Sequence, residues 1–162
     1  MAVFFTSTEL IDIAVAIEKS GAAFYDVLAK SAGDKKAREA YKYLADNERE
    51  HIKIFQNMNA GASDYPSPES YTEEYADYLG TLVDSAVFVN DKAARKMARQ
   101  VANEAEAIEI GIRAEKDSIL FYSAIRDLGR RTDSKLIGKV VEEERSHLTN
   151  LSDLRKSLGN QR

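Results

Sequence analysis

The 162-residue chain is 44% apolar and 31% charged, with a formal net charge of −4 and no block of one sign. That suits one globular domain over 1–162 and argues against a nucleic-acid surface or a polybasic membrane anchor. There is no cysteine, which excludes disulfides, thiolate metal sites and a cysteine nucleophile.

The first helical run opens near Thr6-Ser-Thr-Glu9, a capping-box pattern. Leu10, Ile11, Ala14, Val15, Ala22, Tyr25 and Leu28 then recur at helical spacing, with Glu18 in the middle of their stripe. Ser31-Ala-Gly33-Asp34 reads as a stop followed by a new N-cap. A second run, about 34–58, places Ala37, Tyr41, Leu44, Glu48, His51, Ile52 and Phe55 on one face. From 59 to about 70 the composition turns to Gly, Ser, Asp and Pro, including Pro66 and Pro68, the only two prolines. A short amphipathic stretch, about 70–89, carries Tyr71, Tyr75, Tyr78, Leu79, Leu82, Val83 and Phe88. Residues 90–101 read as helical and continuous with the next run. That third long run, about 103–128, carries Ile108, Ile112, Glu115, Ile119, Tyr122 and Ile125. Gly129-Arg-Arg-Thr132-Asp133 closes it. The fourth run, about 133–158, carries Leu136, Val140, Val141, Glu144, His147, Leu148, Leu151 and Leu154.

Two short connections and one long one predict an all-α four-helix bundle. It is made of two helical hairpins, about 6–58 and 103–158, joined by a long crossover, about 59–102, that contains short helices. No apolar run approaches the roughly 20 residues of a membrane span. Met1-Ala-Val-Phe-Phe5 lacks the basic flank of a signal peptide, so a cytoplasmic location is expected.

The two hairpins repeat one another. Glu18 precedes Tyr25 by seven residues, as Glu115 precedes Tyr122. Glu48-Arg-Glu-His51 matches Glu144-Arg-Ser-His147, and the two lone Glu precede these motifs by 30 and 29 positions. Residues i and i+3 share a helix face, with Cβ atoms about 5–6 Å apart, so each Glu and His can reach one metal ion. A lone Glu-x-x-His is a weak signal, but both histidines of this chain sit in one. A solvated face is the bland reading for Glu18 and Glu115, and their apolar neighbours oppose it, because a carboxylate on an apolar stripe needs a partner. Tyr25 and Tyr122 admit two readings: hydrogen-bond donors to ligand carboxylates, or amphipathic core residues. Glu50, Glu142 and Glu143 read as solvated neighbours or occasional partners of the ligands. The tyrosine-rich crossover, with Tyr65, reads as packing or a subunit contact. One Glu from each of two helices, with Glu-x-x-His from the other two, is the set that holds two metal ions in ferritin-like bundles.

At these residues the chain resembles the rubrerythrin family, within the ferritin-like superfamily. Asn47-Glu-Arg-Glu-His51 and Glu143-Glu-Arg-Ser-His147 look like that family's two iron-binding helices. Glu18 with Tyr25, and Glu115 with Tyr122, look like the other two. The resemblance implies two iron ions (manganese or zinc being alternatives), bridged by Glu48 and Glu144, with Glu18 and His51 serving one and Glu115 and His147 the other. It implies reduction of hydrogen peroxide or dioxygen, with electrons from a separate rubredoxin-like donor. Ferrous-iron oxidation or handling, and a non-catalytic metal-stabilised interaction protein, remain alternatives. A homodimer without nucleic-acid or membrane partners is expected. Two departures stand out. No rubredoxin-type centre can form without cysteine, and the family's further glutamate, three residues after the third-helix ligand, is Ser118 here. The second departure bears on peroxidase chemistry more than on metal binding.

Overall fold

The computed structural model describes residues 2–60, 70–128 and 131–160, which form six helices and no strand. Tyr65, Pro66, Pro68, Gly129 and Arg130 lie outside the described residues.

Helix α1 (Ser7–Ser31) begins with the expected capping box: the Glu9 N–H donates to Thr6 Oγ1 at 3.2 Å, and the Thr6 N–H donates to Glu9 Oε2 at 2.7 Å. Ala32-Gly-Asp34 turns the chain back, and Asp34 Oδ1 accepts the Ala37 N–H at 2.9 Å to start α2 (Lys35–Ala60). These caps satisfy N–H groups that a helix start leaves without partners.

Helix α3 (Glu73–Asp84) is shorter than the periodicity predicts. The apolar Val87 and Phe88 extend the pattern, but the Val87 N–H is held by Asp117 Oδ2 at 2.8 Å, and the backbone leaves the helix at Ser85. Helix α4 (Asp91–Gln100) does not run on into the next element. Val101 is extended, and Asn103 caps a fresh start for α5 (Glu104–Arg126) by accepting the Glu106 N–H at 2.9 Å. Helix α6 (Arg131–Gly159) completes the fold.

Helices α1 and α2 pack as one hairpin and α5 and α6 as the other; the hairpins face each other through α2 against α6 and α1 against α5. In the crossover, α3 lies on α5 and α4 on α1. Two of its tyrosines pack onto the bundle: Tyr71 brackets Phe5 with two backbone hydrogen bonds, at 2.7 and 2.9 Å, and Tyr75 donates to Ala124 O at 2.7 Å, whereas Tyr78 is exposed. On α6 the expected stripe differs at its start, where Ile137 is buried and Leu136 is 38% exposed; Val140, Val141, Glu144, His147, Leu151 and Leu154 are buried as expected. Among the described residues no helix is long and apolar enough to cross a membrane.

The core is divided. One apolar cluster gathers Phe24, Leu28, Tyr41, Leu44, Ile108 and Leu151. The other gathers Leu10, Val15, Phe55, Phe121, Val140 and Val141. Each long helix contributes to both clusters, and between its two contributions each carries a buried glutamate or a Glu–His pair.

Candidate metal centre

Glu18 on α1, Glu48 and His51 on α2, Glu115 on α5, and Glu144 and His147 on α6 are all buried, none more than 4% exposed. The six converge in the layer between the two apolar clusters. Glu18, Glu48, His51 and Glu144 offer ligand atoms within 4.8 Å of one another, and so do Glu48, Glu115, Glu144 and His147. Glu48 and Glu144 belong to both groups, which is the arrangement of two neighbouring cation positions with two shared carboxylates.

The imidazoles turn the same nitrogen inward. His51 Nδ1 lies 2.8 Å from Glu144 Oε1 and 3.4 Å from Glu18 Oε2. His147 Nδ1 lies 3.5 Å from Glu144 and 3.6 Å from both Glu48 and Glu115. The rings stack with centroids 5.7 Å apart.

Several of these atoms are buried with no hydrogen-bond partner: Glu18 Oε2, both oxygens of Glu144, His51 Nδ1, and both ring nitrogens of His147. Buried polar atoms without partners are costly and uncommon. Here five of these six orphans point at one centre, all but His147 Nε2, and their chemistry, carboxylate oxygen and imidazole nitrogen, suits divalent transition metals. The residues present therefore fit a pair of cations.

Electrostatics agree. Burial, reinforced by the Glu144 charge, pushes the Glu18 carboxyl up from its usual range. Burial and the Glu18 charge push Glu48 well up, and burial with the charges of Glu48 and Glu115 raises Glu144 to about 8. Burial also acts to raise Glu115, but its contacts with Glu144, His147 and Tyr25 outweigh that and hold it low. Burial would lower the histidines, yet the facing carboxylates carry His51 up to about 12 and His147 up as well. Carboxyls buried this close to one another keep their protons to higher pH than free ones. Four carboxylates would be balanced by two divalent ions.

Tyr25 and Tyr122 touch the cluster. Tyr25 Oη donates to Glu115 Oε1 at 2.5 Å, and Tyr122 Oη donates to Glu18 Oε1. Both contacts cross between hairpins. Of the neighbouring acids, Glu50 pairs with Lys53 at 2.7 Å, whereas Glu143 Oε2 sits 2.6 Å from His51 Nε2. The helix pattern does not single out Glu143; the one sequence signal is that it aligns with Asn47 in the repeat. Asp117, next to the Ser118 position, is engaged with Val87 and does not join the cluster.

A cavity of about 30 Å³ reaches the cluster, with Gly21, Tyr25, Glu48, Glu115 and Ser118 at its inner end. Ile17, Val83, Ala86 and Phe88 line it farther out, and the same four line an adjoining groove of about 350 Å³. Ser118 Oγ bonds back to Ala114 O at 3.1 Å, so its hydroxyl is committed to its own helix.

The sequence profile described as Rubrerythrin matches residues 9–155. Neither the curated proteins nor the solved structures contain a significant match to this chain.

Proposed function

We propose that this chain, which belongs to the rubrerythrin family, holds two iron ions through Glu18, Glu48, His51, Glu115, Glu144 and His147 and uses them to reduce peroxide or dioxygen. The observation that supports this most is the set of buried, unpartnered carboxylate and imidazole atoms facing one centre on four helices. Glu48 and Glu144, shared by both groups, are suited to bridge; Glu18 with His51 and Glu115 with His147 are suited to serve one ion each.

Iron held there would supply two electrons to the O–O bond of hydrogen peroxide, which takes up two protons and leaves as two waters. The protein's part is to position and to exclude. Tyr122 and Tyr25 hold the Glu18 and Glu115 carboxylates in place. The Tyr25 proton stays on Oη, against Glu115, because burial first and the Glu115 charge second push its pKa far up. The apolar outer wall of Ile17, Val83 and Phe88 disfavours charged molecules, and the narrow inner cavity admits only small ones. These 162 residues contain no cysteine, so reducing electrons reach the site from a separate centre of the rubredoxin type.

Ser118 places a hydroxyl where the family resemblance expects a further ligand carboxylate, and this favours, as a second reading, oxidation of ferrous iron for iron handling. Stopped-flow mixing of the di-ferrous protein separates the two. Oxidation faster with hydrogen peroxide than with O₂, and repeated turnover when an electron donor is supplied, is the expected result. A single slow oxidation that no donor can repeat would reject the reductase reading.

A further inference from the structure

The internal repeat is nearly symmetric at its ligands but not behind them. Asn47-Glu48-Arg-Glu-His51 in one half aligns with Glu143-Glu144-Arg-Ser-His147 in the other. The residue before each shared glutamate is an amide in one half and a carboxylate in the other. Each lies on the helix facing the opposite histidine.

The consequence is visible at the outer ring nitrogens. His51 Nε2 lies 2.6 Å from Glu143 Oε2, a contact between the two hairpins. An ionised carboxylate can only accept, so the ring donates through Nε2 and its Nδ1 is the nitrogen left for a metal. The same bond fixes the ring plane and makes Nδ1 a stronger donor. His147 has no counterpart. Its Nε2 is buried and without a hydrogen-bond partner, and Asn47 donates its amide to Tyr43 O at 2.8 Å instead. The Tyr43 ring meets the His147 ring edge-on, with centroids 6.3 Å apart, which gives packing but no acceptor.

We propose that Glu143 is a positioning residue that makes the two metal positions unequal: the position served by Glu18 and His51 fills first and binds more tightly than the one served by Glu115 and His147. This rests on the two-metal reading given above. It adds an order of filling and names the residue that sets it. Glu143 touches neither a metal nor a substrate; it acts through the His51 ring, and its half-exposed side chain can be changed without opening the core.

The test is a titration of the metal-free protein with Co²⁺, followed by the ligand-field absorption of the bound ion. Two steps separated by about 10–100-fold in affinity are expected, the range that loss of a ligand's supporting bond usually costs. Glu143→Ala should bring the tighter step down to the weaker one. Glu143→Gln, which keeps an acceptor oxygen without the charge, should fall between; a merely structural role would not produce that order. At one equivalent, anomalous diffraction should find the ion beside His51. Two indistinguishable steps in the native chain, a tight step that Glu143→Ala leaves unchanged, or a first ion beside His147 would each overturn the proposal while leaving the two-metal reading intact. Failure to bind Co²⁺ at either position would overturn that reading and this proposal together.

Discussion

Tyr122 and Tyr25 show how far spacing alone can be read. Each follows its own helix's glutamate by seven residues, which places both on one face but about 10.5 Å apart along the axis, too far for a hydrogen bond. In the antiparallel pair of α1 and α5 that offset brings each hydroxyl level with the other helix's glutamate, and the bonds cross. The repeat makes the faces legible; the crossing needs the second helix in place. For the same reason the sequence offers Glu143 only as one of three neighbouring acids, since its partner His51 lies 92 residues away on the opposite hairpin. Tyr122→Phe removes a donor to Glu18 Oε1 and leaves that oxygen buried. A hydrogen bond to a charged group is worth roughly 1.5–3 kcal/mol. Competition against a chelator should therefore show metal affinity lower by about 10–100-fold, with the helical circular-dichroism spectrum unchanged. Unaltered affinity would assign Tyr122 to packing alone.

At the scale of the helix, what reads clearly is the apolar stripe interrupted by an acid. The four long helices all show it, because burying a carboxylate between apolar turns makes sense only where several meet. The crossover reads less well. Val87 and Phe88 look like a continued helix, yet they leave it because Asp117 on α5 captures a backbone N–H, a long-range contact with no local signature. Likewise the helix at 90–101 looks continuous with α5 until Asn103 is seen capping it. Two glycines have a packing reason that the sequence does not announce. A Cβ on Gly111 would come within 3.2 Å of Tyr25 Oη, and one on Gly21 within 3.2 Å of Glu48 Cδ. Both keep a helix backbone close to the ligand layer. Gly21→Ala sets two effects against each other: alanine gains up to about 1 kcal/mol in helix propensity, while its methyl forces the Glu48 carboxylate to shift. Thermal unfolding should show the metal-free variant as stable as the parent or more so, with a smaller rise in Tm on loading metal. An undiminished rise would mean that Glu48 tolerates the shift.

Across the whole molecule, two apolar clusters bracket one polar layer, so the core is complete only when that layer is neutralised. Composition and periodicity made the bundle legible, and the doubled Glu-x-x-His made its centre legible. The cavity beneath the crossover was not, because its walls come from α1, α2, α5 and the end of α3 with the segment after it, and no local pattern predicts how closely such distant pieces meet. Everything proposed for this chain depends on those six side chains acting as ligands. The most direct measurement is metal analysis of protein reconstituted anaerobically with Fe²⁺, joined to anomalous diffraction at the iron edge. Two ions per chain, both enclosed by Glu18, Glu48, His51, Glu115, Glu144 and His147, is the predicted result. Iron absent from that layer, or bound only at the protein surface, would contradict it.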